Sequence, residues 1–144
     1  MQDSRALIIA SSLLAISLIA GACGGSSAET TTMADTSDVV FGRGSVPDTV
    51  PDSFPIPGEA VVGATLVDSN RGLTEMILTF PANVAAVVSY YEENIPGRGY
   101  EIASSAGSET EWQIQFDGVD LHGVITVRTG GSGVASAVVE FSRM

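Results

Sequence analysis

Hydrophobic and polar positions divide this chain into an apolar leader, a small polar stretch, a proline-punctuated run and a patterned region that carries secondary structure. In the patterned region, residues 60–67 are apolar and β-branched, and Ser69-Asn70-Arg71-Gly72 is a turn signal. Residues 73–80 put Thr74, Met76, Leu78 and Phe80 on one side of a period-two pattern, so the two runs predict a β-hairpin. The period then switches. Val84, Val87, Val88, Tyr91 and Ile95 recur at helical spacing and predict an amphipathic helix over 82–95, opened by Pro81 or Asn83 and stopped by Pro96-Gly97. Strands follow at 100–105, 111–116, 121–128 and 134–142. Trp112, Ile114 and Phe116 point inward from the second of these, Leu121, Ile125 and Val127 from the third, and Val139 and Phe141 end the last.

This order, ββαββββ, has short connections, which favour antiparallel neighbours. One helix with one apolar stripe covers one sheet face. The expected fold is α+β: a single antiparallel sheet of five to six strands with one amphipathic helix packed on one face, formed by residues 47–144. Residues 23–46 begin with Gly24-Gly25-Ser26-Ser27 and lack apolar periodicity, so they are expected to be a disordered tether. Pro47, Pro51, Pro55 and Pro57 favour extended or polyproline II geometry between them. That run reads either as a ligand for a proline-recognition domain or as a lead-in strap whose Phe54 and Ile56 pack on the domain edge. The second reading is preferred.

The leader changes the picture most. Ala6–Leu18 carries no charge and is short for a membrane span, which needs ~20 apolar residues. It fits the hydrophobic region of a signal peptide over residues 1–22, followed by small residues and by Cys23, the only cysteine of the chain. One cysteine makes no internal disulfide, and a zinc site needs several ligands. Leu18-Ile19-Ala20-Gly21-Ala22-Cys23 resembles the lipobox of bacterial lipoproteins, with Ala20 where Leu is commonest. The resemblance implies lipidation of Cys23 and cleavage just before it. An ordinary secretory peptide cut near Ala22 and an uncleaved anchor are the alternatives.

Charge excludes one class of partner. The net charge is −11 and the chain contains no lysine, so its field repels phosphates, and no nucleic-acid partner is expected.

Three further pieces carry a resemblance: Pro51-Asp52-Ser53-Phe54-Pro55-Ile56-Pro57 before a hairpin, the helix Val84-Ala85-Ala86-Val87-Val88-Ser89-Tyr90-Tyr91, and Asn94-Ile95-Pro96-Gly97-Arg98-Gly99-Tyr100. Together they resemble small bacterial extracytoplasmic lipoproteins built from a proline-rich lead-in, a hairpin, a helix and a β-meander. The chain departs from them at Tyr100, where Trp is commoner, and at Ile95-Pro96. The resemblance implies architecture and the lipid site at Cys23, and no catalytic residues.

Other candidate chemistry is sparse. His122, the only histidine, lies on the outward side of its strand with Thr126 and Arg128, and Asp120 or Glu140 are its candidate acids. Asp117-Gly118-Val119-Asp120 reads as a hairpin turn in preference to a calcium loop. Glu92-Glu93 and Glu109 with Glu111 read as solvated faces. Arg98 between glycines follows a helix C-terminus, where an anion nest is not built. Tyr90 lies off the helical stripe and is the candidate contact residue. The expected protein is non-enzymatic, without cofactor or metal, lipid-anchored through Cys23 at the extracytoplasmic face of a cell membrane. It would bind an envelope protein or serve as a structural module. The alternative is a carrier of a small molecule or lipid, with a pocket between helix and sheet.

Overall fold

The computed structural model describes residues 38–144. Seven strands form one antiparallel sheet: β1 (Val39–Arg43), β2 (Val61–Asp68), β3 (Leu73–Phe80), β4 (Glu101–Gly107), β5 (Glu111–Gly118), β6 (Leu121–Thr129) and β7 (Ala135–Arg143). Their order across the sheet is β1-β2-β3-β7-β6-β5-β4. One helix, α1 (Val84–Asn94), leaves the end of β3 and carries the chain to the far edge. The meander β4-β5-β6-β7 then returns strand by strand until β7 pairs with β3. The α+β class and the single sheet with one helix match expectation.

The strand number does not: the sheet has seven strands, against an expected five to six. The added strand, β1, comes from the stretch expected to be tether. Val39-Val40-Phe41 is too short an apolar run to show a period. Its strand character comes from pairing with β2, where five successive residues keep register from Val39↔Asp68 to Arg43↔Ala64.

Helix α1 begins where Asn83 accepts a hydrogen bond from the Ala86 amide at 2.9 Å, which satisfies one of the free N–H groups of the first turn. It ends at a tight turn over Pro96–Arg98 and at Gly99, whose φ of 87° suits glycine. Val84, Val87, Val88, Tyr91 and Ile95 are buried as the period predicts, and the helix lies over β5 and β6.

The remainder of the inner face is covered by the proline run. It is not an extended strap. The carbonyls of Pro47, Pro51 and Pro57 accept from the amides of Val50, Phe54 and Ala60, at 3.0, 2.9 and 3.0 Å, so the run folds as successive turns. Proline has no N–H to donate, but its carbonyl closes each turn. The turns lower Val50 and Phe54 into the core. Phe54 packs far from the edge: its ring lies 5.8 Å from Tyr91, 5.7 Å from Phe116, 4.9 Å from Phe141 and 6.5 Å from Tyr100. Pro55 is buried and Pro51 and Pro57 are half-buried, so the run is part of the folded domain. Thr49 and Thr74 share a hydrogen bond of 2.7 Å, and Ser53 and Tyr100 another of 2.7 Å, which pin the run near its start and at its middle.

Gly123 makes the same cluster possible. It lies directly across from Phe116 on the neighbouring strand, and a Cβ added to it would overlap the Phe116 ring. The ring occupies the space that the glycine leaves.

Two substitutions test this account. Phe54→Ala removes a buried ring that touches four others and is expected to lower unfolding free energy by about 3–5 kcal/mol. Gly123→Ala is expected to cost about 1–3 kcal/mol by displacing Phe116. Denaturant unfolding checks both, and an unchanged midpoint in either variant contradicts the packing described.

Candidate functional site

Cys23, on which the anchoring expectation rests, lies outside the described residues. Among the described residues, no helix is long and apolar enough to cross a membrane.

Tyr90, the candidate contact residue, is half-buried, and its ring meets that of Tyr91 edge-on at 5.4 Å. With Pro57, Phe80, Pro81 and Ala86 it lines a small hollow of about 90 Å³ beside the start of the helix. Tyr91 itself is fully buried, and its hydroxyl finds no hydrogen-bond partner among the described residues. Burial, and secondarily the neighbouring Tyr90, push the Tyr91 phenol above the ordinary tyrosine range.

His122 points away from the helix, as its strand period predicts. Its partner is neither Asp120 nor Glu140. Nδ1 shares a hydrogen bond of 2.7 Å with Oδ1 of Asp117, the residue directly across on β5. Ser142 lies across from His122 on β7, so Asp117, His122 and Ser142 form one row on three adjacent strands. The residue types are those of a nucleophilic triad. The geometry is that of a flat sheet face: Ser142 makes no hydrogen bond to His122, and β6 and β7 are flanked on both sides, so their amides serve the ladder and leave no paired donors for an oxyanion. The row is a cross-strand hydrogen-bonded pair beside a serine. Asp120 sits in the β5–β6 hairpin loop with a φ of 56°, the turn expected there. Among the described residues, no group of three or more His, Cys, Asp or Glu side chains comes together to hold a metal.

A further concavity lies between α1 and the β4–β5 hairpin. Val84, Val88, Glu92, Glu109 and Trp112 contribute to a largely apolar hollow of about 270 Å³. Its wall is braced by a relay: the Trp112 indole N–H donates to the Ser105 hydroxyl at 2.8 Å, and that hydroxyl donates to Glu92 at 2.6 Å. Glu92, expected to be merely solvated, therefore ties the helix to the edge of the sheet. Trp112, expected in the core, is half-buried at this rim. The relay depends on the register that places Trp112 beside the end of β4, which the sequence pattern alone does not reveal.

The opposite face of the sheet has no cover among the described residues. Leu66, Ile77, Val124 and Val138 are half-buried there, and Phe41 is 77% exposed. Glu75 and Glu140 stand directly opposite each other on the same face. Like charges so placed repel, at a cost of a few tenths to about 1 kcal/mol.

No family model, curated protein or solved structure matches this chain.

The Tyr91 hydroxyl yields a prediction with a definite sign. The folded state holds the phenolic proton more tightly than the unfolded chain, so stability is intact below the unfolded pKa of about 10 and is lost as pH rises beyond it. Tyr91→Phe is expected to leave neutral stability unchanged or higher, because the hydroxyl is desolvated without a partner. It is also expected to weaken the alkaline loss, and thermal melts between pH 7 and 11 read both effects.

Proposed function

We propose that this chain is a lipid-anchored, non-enzymatic protein of the cell envelope, moored through Cys23 at the extracytoplasmic face, whose folded domain binds another envelope protein or serves as a structural module. The mooring is supported by the position of Cys23 directly after an uncharged apolar run with small residues at the junction. Acyl chains contribute ~0.8 kcal/mol per buried methylene, and two or more are needed for firm attachment.

The observation that carries the binding role is the asymmetry of the sheet. Helix and strap fill one face to its centre, while the other presents Leu66, Ile77, Val124 and Val138 around an opposed pair of acids, Glu75 and Glu140. An apolar surface with an opposed pair of carboxylates at its centre suits a partner that brings apolar side chains and positive charge. The filled interior also weighs against a ligand held in the deep core, where Phe54, Tyr91, Phe116 and Phe141 pack against one another.

A second reading, an extracytoplasmic carrier, is favoured by the hollow at Trp112. Its apolar walls and its two rim carboxylates suit a small ligand with an apolar body and a cationic head.

One experiment tests the mooring and another tests the carrier reading. Intact-mass analysis of the native membrane-extracted protein is expected to find a chain that begins at Cys23 and carries acyl groups, and Cys23→Ala is expected to release the domain into the soluble fraction. A native chain that begins elsewhere, or that is unmodified, overturns the mooring. Trp112 is the single tryptophan, so its fluorescence reports on its own hollow. Titration with dodecyltrimethylammonium below its micelle concentration is expected to give a saturable emission change if the carrier reading holds. An emission that stays flat removes that reading.

A further inference from the structure

We propose that two copies of this chain pair through β1, antiparallel about Phe41, and so join their sheets into one. The two edges of the sheet are built differently. β4 starts at Glu101, is interrupted by a bulge between Ile102 and Ser104, and otherwise offers small side chains. Charges and bulges of this kind block unwanted strand pairing. β1 has no bulge: it keeps unbroken register with β2, and Val39-Val40-Phe41-Gly42 contains no charge, the strand's one charged residue being Arg43 at its end. In a chain of net charge −11, this is a segment at which two copies repel each other least. Among the described residues, nothing pairs with its outer side.

The side chains of β1 are self-complementary. Antiparallel pairing with Phe41 on the two-fold axis puts the two Phe41 rings on one face, where each is now 77% exposed. On the other face it sets Val40 of each copy, 59% exposed, opposite Gly42 of the other. Gly42 has no side chain to obstruct it. A Cβ there would already meet its own Thr65 hydroxyl at 2.6 Å, so the strand is kept bare at the point where the second copy's valine arrives. Beside it, Val40, Pro47, Thr65 and Val67 contribute to a largely apolar hollow of about 310 Å³ that receives the valine methyl groups. Strand addition of this kind takes affinity from main-chain hydrogen bonds and specificity from alternate side chains. A five-residue strand buries less than the ~800 Å² per partner of a standard interface, so the pair is weak and depends on local concentration.

The test is photo-crosslinking of the full-length chain in cells that express two differently tagged copies. Benzoylphenylalanine in place of Phe41 is expected to give, on irradiation, a band of twice the mass of the single-copy band that carries both tags. The same group in place of Ser104, on β4, is expected to give none. Adding Val40→Glu to the first variant is expected to abolish the band. Val40 is exposed in the single copy, so this change leaves the fold intact, which a thermal melt verifies. A Phe41-site crosslink only to other proteins, no crosslink, an equal band from the β4 site, or a doubly tagged band that survives Val40→Glu would each overturn the proposal.

Discussion

The domain depends on how a wide sheet is covered by too little helix. Seven strands at the usual ~4.8 Å spacing span roughly 30 Å, whereas a helix with its side chains is about 10–12 Å across. Helix α1 covers β5 and β6 and leaves the middle of the sheet to be filled by other means. The proline run does this with turns instead of a second helix. Each turn is closed by a proline carbonyl, and the series delivers one large ring, Phe54, to the point where helix, meander and central strands meet. The rings it touches belong to α1, to the residue before β4, to β5 and to β7. Four elements distant in sequence are thus joined through one residue.

That arrangement separates what the sequence discloses from what it hides. The helix stripe and the inward positions of β3, β5 and β6 are local periodicities, and the structure follows them. The exception is Trp112, which the register places at a rim. Phe54 sits among prolines, where no period exists, so its burial depends on turns that become visible only when hydrogen bonds are assigned. Gly123 falls on the inward alternation between Leu121 and Ile125, and a glycine in an inward position is itself a signal. Its meaning requires knowing that Phe116 lies across from it. The outward position of His122 is legible from its strand, but its partner follows from the turn. Once Val119 and Asp120 form a two-residue hairpin loop, Gly118 faces Leu121 and Asp117 must face His122. β1 offers three apolar residues and becomes a strand only because β2 presents an edge to it.

Strain and compensation are visible on both faces. On the covered face, the dense aromatic cluster holds the Tyr91 hydroxyl without a partner, a local cost offset by the packing of the ring. On the open face, Glu75 and Glu140 oppose each other where a neutral pair would be more stable. An unfavourable pair retained at the centre of an otherwise serviceable surface is what a contact surface requires if its partner supplies the missing charge. This is the physical reason for reading the open face as the binding face ahead of the row formed by Asp117, His122 and Ser142. In that row the Ser142 hydroxyl makes no hydrogen bond to the imidazole, and the ladder leaves no paired amides to stabilise an oxyanion.

The two proposed contacts make different demands on the same acidic molecule. Contact across the open face calls for a partner of opposite charge, because every copy of this chain carries the same excess of carboxylates. Contact along β1 calls for a partner that tolerates like charge at a distance and matches a short strand that is uncharged from Val39 to Gly42, a description that fits a second copy. The surface potential is screened within a Debye length of about 8 Å at physiological salt. Hydrogen bonds formed at a strand edge act at contact and are little weakened by salt. Salt should therefore weaken the first kind of contact and favour the second, and the two surfaces can operate on one domain without competing for the same residues.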